Sequence, residues 1–300
     1  MIVSAEQLHG TIIAPLSKSA LHRRLILNRI AGVSDVPDNP CYDISATSEC
    51  LNRLGKGLML DCRESGSTLR FLLPVSLLFG GGSFTGDASL RLRPIRPLLD
   101  VLRAHGAGID SDVLPITVRG TLQSGTYALD GGISSQFFSG LLMTLPFLPG
   151  DSTLVWTSPL GSEGYVKLTE RMLREHGVDV VPIENGYRIP GGQIPKALPP
   201  TVEGDWSSAA AMLILGAISG SVTVAGLNPD SEQPDRQILS VLEQCGARIR
   251  INGDAVTVQR SKREPTSPQS QKGDSVAEPL SVLETLSQRY GAPLSAITGT

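Results

Sequence analysis

The sequence is poor in the residues that usually announce chemistry. Aromatic side chains make up 4% of its 300 residues, too few for the stacking platforms on which single-stranded nucleic acid lies. Basic residues are not in excess: 26 Lys and Arg against 29 Asp and Glu leave a net charge of −3. No global basic field therefore draws in nucleic acid. Cys41, Cys50, Cys62 and Cys245 form no C-x-x-C pair and stand near no histidine at zinc spacing. Four in a chain this long are too sparse for a disulfide scaffold, and they read as reduced thiols of a cytoplasmic protein. His9, His22, His105 and His176 are scattered, with no H-E-x-x-H pair, and read as satisfied or solvated side chains. Neither a metal nor a cofactor is called for. The longest apolar runs, 69–79 and 209–218, fall far short of a membrane span and read as buried core helices. The first ten residues lack the basic-then-apolar pattern of a signal peptide.

What is present is organised around Pro15-Leu-Ser-Lys-Ser-Ala-Leu-His-Arg23. Proline breaks regular structure, Ser17 and Ser19 are residues that cap helices, and Leu21, Leu25, Ile26 and Ile30 then follow a helical spacing. The first turn of such a helix carries unpaired N–H groups, the positive dipole end, Lys18 and, one turn on, Arg23. That set attracts an anion, most simply a phosphate. An ordinary capped surface helix with solvated cations is the competing reading of this stretch.

The chain also repeats itself. Leu98-Leu-Asp-Val-Leu-Arg-Ala-His-Gly106, Leu168-Thr-Glu-Arg-Met-Leu-Arg-Glu-His-Gly177 and Ile238-Leu-Ser-Val-Leu-Glu-Gln-Cys-Gly246 share a helix that ends at glycine, the glycines lying 71 and 69 residues apart. Alternating strands are expected after each, at 116–118, at 178–181 with 187–189, and at 248–251 with 255–258. Leu54-Gly55 reads as a fourth, shortened copy. A second series runs in step: serine-rich helix starts at Ser17-Lys-Ser19, Ser65-Gly-Ser67, Ser134-Ser135 and Ser207-Ser208, the last three each followed by an apolar helix. The unit is thus about 70 residues with two helices, one of them so apolar that it must be surrounded. Several buried helices with hydroxyl-rich starts suggest N-termini converging on an anion pocket. Residues 261–274 are polar and rich in Pro and Ser and read as a disordered linker. Residues 279–290 fit one short amphipathic helix.

Six separated motifs resemble those of the 5-enolpyruvylshikimate-3-phosphate (EPSP) synthase family. The stretch from Pro15 to Arg23 is similar to P-x-S-K-S-x-x-x-R, and Asp61-Cys-Arg-Glu-Ser-Gly-Ser-Thr-Leu-Arg70 to D-C-G-E-S-G-S-T-L-R. Arg93-Pro-Ile95, Ile133-Ser-Ser-Gln136, Ser162-Glu-Gly-Tyr165 and Val202-Glu-Gly-Asp-Trp-Ser-Ser-Ala209 match R-P-I, I-S-S-Q, S-x-x-Y and V-E-G-D-x-S-S-A. They cover residues 8–260 in the family's order. The resemblance implies a mixed α/β fold of the α+β kind, built of repeated β-α-β-α-β-β units with helices inside and sheets outside. It implies one near-complete domain at 15–200 and one incomplete domain from 1–14 plus 201–260, with substrates held between domains that close on them. A monomer is the family's usual state.

The same resemblance implies roles. Lys18, Ser19, Arg23, Ser134, Ser135, Gln136 and Ser162 would bind shikimate 3-phosphate. Lys18, Gly66 and Gln136 would meet phosphoenolpyruvate, with Gly66 leaving room for it against the backbone. Tyr165 reads as packing and Asp205 as a helix cap. The implied reaction moves the enolpyruvyl group of phosphoenolpyruvate to the 5-hydroxyl of shikimate 3-phosphate and releases phosphate, in aromatic amino-acid biosynthesis. Departures are plain. The aspartate base, K-E-x-D-R and further cations of the family's last third have no match here, and Glu232-Gln-Pro-Asp-Arg236 lies in a segment already aligned elsewhere. Ser89 stands where the family has a cation for phosphoenolpyruvate, leaving Arg91 and Arg93 as replacements, and Arg63 replaces a glycine. A relative that binds shikimate 3-phosphate without turnover is the alternative. A nucleotide-sugar enolpyruvyl transferase is the weaker one, disfavoured by Ser-Ser-Gln and by the lack of that enzyme's cysteine loop.

Overall fold

A computed structural model describes residues 8–34, 37 and 40–260, so the readings made above for 1–7 and 261–300 lie outside the described residues. In chain order the elements are β1 (Leu8–Ile13), α1 (Lys18–Ile30), α2 (Tyr42–Arg53), β2 (Met59–Asp61), α3 (Gly66–Ser76), β3 (Gly81–Thr85), α4 (Ala88–Arg91) and α5 (Arg96–Ala104). There follow β4 (Gly108–Ile109), β5 (Ile116–Arg119), β6 (Thr126–Leu129), α6 (Ser135–Leu142), β7 (Ser152–Trp156), α7 (Glu163–Glu175), β8 (Val181–Ile183) and β9 (Gly186–Ile189). The last are α8 (Trp206–Ser219), β10 (Gly220–Ala225), α9 (Ile238–Gln244), β11 (Arg248–Asn252) and β12 (Ala255–Gln259). The chain divides into two compact units, one of residues 1–15 with 203–300 and one of residues 16–202.

The repeat is explicit in the sheets. Three four-stranded sheets have the orders β1-β10-β12-β11, β2-β3-β5-β4 and β6-β7-β9-β8. In each, the first two strands are parallel and the other pairings antiparallel. A parallel pair needs a crossover, and α3, α6 and α8 lie in the crossovers that lead to the second strand of each sheet. Gly106, Gly177 and Gly246, just past α5, α7 and α9, have φ of +98°, +75° and +82°, the left-handed stop that a side chain resists. The third strand in the second unit of this series begins at Val181, later than the expected 178, because Val178 turns into the core.

Residues 16–202 enclose a core in which α3 and α6 pack face to face. Leu69, Leu72, Leu73 and Val75 of α3 and Phe137, Phe138, Leu141 and Leu142 of α6 are fully buried, each worth ~1.5–3 kcal/mol of transfer free energy. The contact is closest at Gly140. Pro74 cannot donate to the Arg70 carbonyl one turn back, and a Cβ on Gly140 would meet that oxygen at 2.7 Å. A polar relay ties α1, α2 and α3 together: His22 Nδ1 with Thr47 Oγ1 at 2.8 Å, Thr47 with Thr68 at 2.7 Å, and the Thr68 hydroxyl to Ser65 Oγ at 2.7 Å.

Residues 8–15 with 203–260 form a second, smaller core of α8, α9 and the β1-β10-β12-β11 sheet. Asp205 caps α8 by accepting from the Ser208 amide at 2.7 Å, and Trp206 is fully buried. The expectation that α8 is enclosed like its counterparts fails on one side. Trp206, Ala209, Leu213 and Gly216 face the sheet, but Met212, Leu215 and Ile218 are 37–43% exposed. Among the described residues, this unit contains no second helix of the α3 or α6 kind to lie against them. No helix of the described residues is long and apolar enough to cross a membrane.

Two outcomes follow. Gly140→Ala forces α6 off α3 and lowers the stability of its unit by about 2–3 kcal/mol, read from urea unfolding. The second concerns pH. Burial pushes the His22 imidazole down from 6.5 to about 3, so it stays neutral in the fold while the unfolded chain takes up a proton below about 6.5. The unfolded state then binds more protons, and stability falls as pH drops from about 6.5 toward about 3, by about 2 kcal/mol at pH 5. Urea curves at pH 7 and pH 5 check this, with His22→Gln losing that share of the decline.

Candidate functional site

The site grows from the starts of four helices, all within residues 16–202. Ser17 caps α1 by accepting from the Ala20 amide at 3.4 Å, Ser65 caps α3 through the Thr68 amide at 3.3 Å, and Ser134 caps α6 through the Gln136 amide at 3.3 Å. Ser162 holds the same position before α7 without such a bond. Each cap satisfies one of the free donors in its first turn. Ser19, Ser134, Ser135 and Gln136 are half-buried, while Lys18 and Ser162 are exposed.

Arg23 draws three of these starts together. Its Nε donates to Thr169 Oγ1 at 2.7 Å, Nη1 to the Ser19 carbonyl at 2.6 Å, and Nη2 to Ser139 Oγ and the Tyr165 carbonyl, each at 3.0 Å. The guanidinium lies 5.0 Å from the centre of the Phe71 ring. It is fully buried and makes no ion pair among the described residues. Burial pushes it down to about 9, so it remains a cation at neutral pH, held by neutral oxygens alone. Lys18 reaches elsewhere: its Nζ pairs with Asp43 of α2 at 2.8 Å.

A second concentration of positive charge stands at the start of α3. Gln136 accepts from Arg70 Nη1 at 2.6 Å and donates to Ser67 Oγ at 2.9 Å, joining the first turns of α6 and α3. Arg70 Nη2 donates to the Pro94 carbonyl at 3.1 Å. Arg93 approaches from the next loop, and a Cβ on Gly66 would meet its Nη1 at 2.8 Å and Arg70 Nη1 at 3.5 Å. Neither arginine has an ion pair among the described residues, and the Nε of Arg70 is buried without a hydrogen-bond partner. Burial, and then Arg93, push the Arg70 guanidinium down from its ordinary value. Two adjacent guanidinia, free amides and a helix dipole at a glycine make a place where an oxyanion lowers the energy.

The sequence named Gly66 and Gln136 here but not Arg70 or Ser67, and it left Arg93 level with Arg91. The structure separates the two arginines: Arg91 Nε turns to the Gly86 carbonyl at 3.3 Å, while Arg93 meets Gly66. The signal for Arg70 was its place in a helix start, four residues after Gly66 and so on the same face. Beside Ser162 there is a hollow of about 460 Å³ lined by Trp156, Ser158, Glu163, Glu184 and Asn185. Its two carboxylates disfavour an anion inside it.

Comparison with known proteins places the chain in a family. The family model for EPSP synthase (3-phosphoshikimate 1-carboxyvinyltransferase) matches residues 55–277. A 3-phosphoshikimate 1-carboxyvinyltransferase of Methanocorpusculum labreanum is 36% identical over 288 residues, covering 87% of this chain and 68% of that protein. One from Clostridium kluyveri is also 36% identical, covering 87% and 67%. Among solved structures, an EPSP synthase of Acinetobacter baumannii shares the fold with a TM-score of 0.68 at 22% identity, over 86% of this chain and 66% of that one. The chain spans about two thirds of the length of the relatives it matches. By the extent of the family match and the identity to these relatives, the chain belongs to the EPSP synthase family.

Proposed function

We propose that the protein serves the transfer of an enolpyruvyl group from phosphoenolpyruvate to the 5-hydroxyl of shikimate 3-phosphate, with release of phosphate, in the cytoplasm. The observation that carries this reading is the pair of guanidinia, Arg70 and Arg93, with no ion pair among the described residues, at the start of α3 beside Gly66 and Gln136. Phosphoenolpyruvate brings a phosphate and a carboxylate, and shikimate 3-phosphate a phosphate and a carboxylate of its own. Fixed cations and helix ends let such anions lie side by side where water alone would leave them repelling.

In this reading Gly66, Arg70, Arg93 and Gln136 hold phosphoenolpyruvate, joined by Lys18. Ser134, Ser135 and Ser162 hold the phosphate of shikimate 3-phosphate, with Gln136 near both. Ser19 and Arg23 lie at the ring; Arg23 acts chiefly by fixing α1, α6 and α7, since four of its contacts are already to protein oxygens. The hydroxyl oxygen bonds to the central carbon of phosphoenolpyruvate while its own proton leaves to a base, and the methylene carbon gains a proton. The tetrahedral adduct then loses phosphate and a methyl proton. No residue among these is a carboxylate suited to take the hydroxyl proton. That favours a second reading, in which these residues bind shikimate 3-phosphate without turnover.

The two readings separate cleanly. Phosphate release that requires both substrates supports transfer. Calorimetric binding of shikimate 3-phosphate with no phosphate release supports the second reading, and no binding heat at all overturns both. Gly66→Ala, which pushes a methyl toward Arg93, weakens phosphoenolpyruvate about tenfold or more while leaving shikimate 3-phosphate within about twofold, as separate titrations would record.

A further inference from the structure

The β2-β3-β5 sheet carries a hollow unconnected with the helix starts described above. It measures about 310 Å³ and is lined by Arg53, Leu58, Phe79, Ser83, Thr117 and Arg119, with Gly80, Gly81 and Gly82 along its floor. The register explains it. Leu60, Phe84, Ile116 and Val118 point into the core, so Met59, Ser83, Thr117 and Arg119 occupy the outer face. Gly81 pairs with Arg119, and a Cβ there would run into the Val118 carbonyl at 2.1 Å, so the strand passes beside the arginine with no side chain of its own. Its place is the start of β3, whereas the turn to Gly66 leaves the far end of β2.

The chemistry of the lining is one-sided: two guanidinia, two hydroxyls and no carboxylate. Arg53 spends one N–H on the Met59 carbonyl at 3.2 Å and keeps the rest of its donors. The side chain of Arg119 makes no hydrogen bond or ion pair among the described residues. Asp110, which it attracts, already accepts the Thr117 amide at 2.7 Å. The Ser83 and Thr117 hydroxyls sit 3.1 Å apart on the trough wall, and Leu58, 53% exposed, gives it an apolar rim with Phe79. Two arginines lining one hollow suit an oxyanion of two charges. The hydroxyl pair and the apolar rim have work only if that oxyanion carries an organic body, and the volume lies in the range of small-ligand sites.

We propose that this trough is a second anion site of the protein, which takes a small phosphate monoester independently of the α3 start. The reading does not rest on the proposed transfer activity. The test is an NMR titration of the full chain with glycerol 3-phosphate and, separately, inorganic phosphate, following the backbone amides of Ser83, Thr117 and Arg119. Saturable shifts are expected, with the ester saturating at lower concentration than inorganic phosphate. Arg119→Ser, which removes no hydrogen bond or ion pair among the described residues, raises the half-saturation about tenfold or more. Arg53→Ser does the same provided its far-ultraviolet spectrum matches the parent, and Gln136→Ala leaves the titration unchanged. Shifts that do not saturate, or that survive Arg119→Ser, overturn the site. Equal half-saturation by the two probes overturns the monoester class, and loss of the shifts in Gln136→Ala overturns its independence.

Discussion

The buried guanidinium of Arg23 is the constraint on which the larger unit depends. A charge taken out of water is expensive unless polar partners replace its hydration. Here no carboxylate among the described residues does so. Thr169, Ser139 and the carbonyls of Ser19 and Tyr165 must all be in place at once, and they belong to α1, α6 and α7. Meeting that demand fixes where the first turns of these helices lie. The positive ends of these helices are then fixed by the protein's own contacts, as a pre-organised anion site requires.

The start of α3 extends the same logic with less compensation. Arg70 and Arg93 both reach Gly66, and Arg70 has Gln136, the Pro94 carbonyl and the Phe137 ring as partners but no carboxylate among the described residues. Such an arrangement is offset by the packing of α3 against α6, whose facing apolar side chains are fully buried. Gly140 and Pro74 let those helices approach closely, and Gln136 spans the gap one turn from their ends. Stability and charge are thus separated along one helix pair: apolar at its middle, cationic at its tip.

Much of this was legible in the residues. Glycines at a fixed interval announced helices with left-handed stops, and those at 106, 177 and 246 have that geometry. Serines marked helix starts at 17, 65 and 134, where they do cap. At 207–208 the serines fall in the first turn of α8, and the cap is Asp205, which reads as one in the sequence. Strands of two or three residues, such as β4 and β2, are too short for alternation to register. Arg70 was hidden because a cation inside an apolar helix looks like an interruption until the facing helix is seen. The likeness of α8 to α3 and α6 in composition also hid a difference, since apolar character records what a helix can bury and not what its neighbours supply.

The bare side of α8 has a bearing on handling. Met212, Leu215 and Ile218 place a continuous oily strip one side-chain wide in water, and a strip of that kind is what hydrophobic dyes, detergents and holdase chaperones adhere to. Salts that strengthen apolar association act on it first. A helix edge of this kind bears on how the polypeptide behaves in solution alongside its net charge.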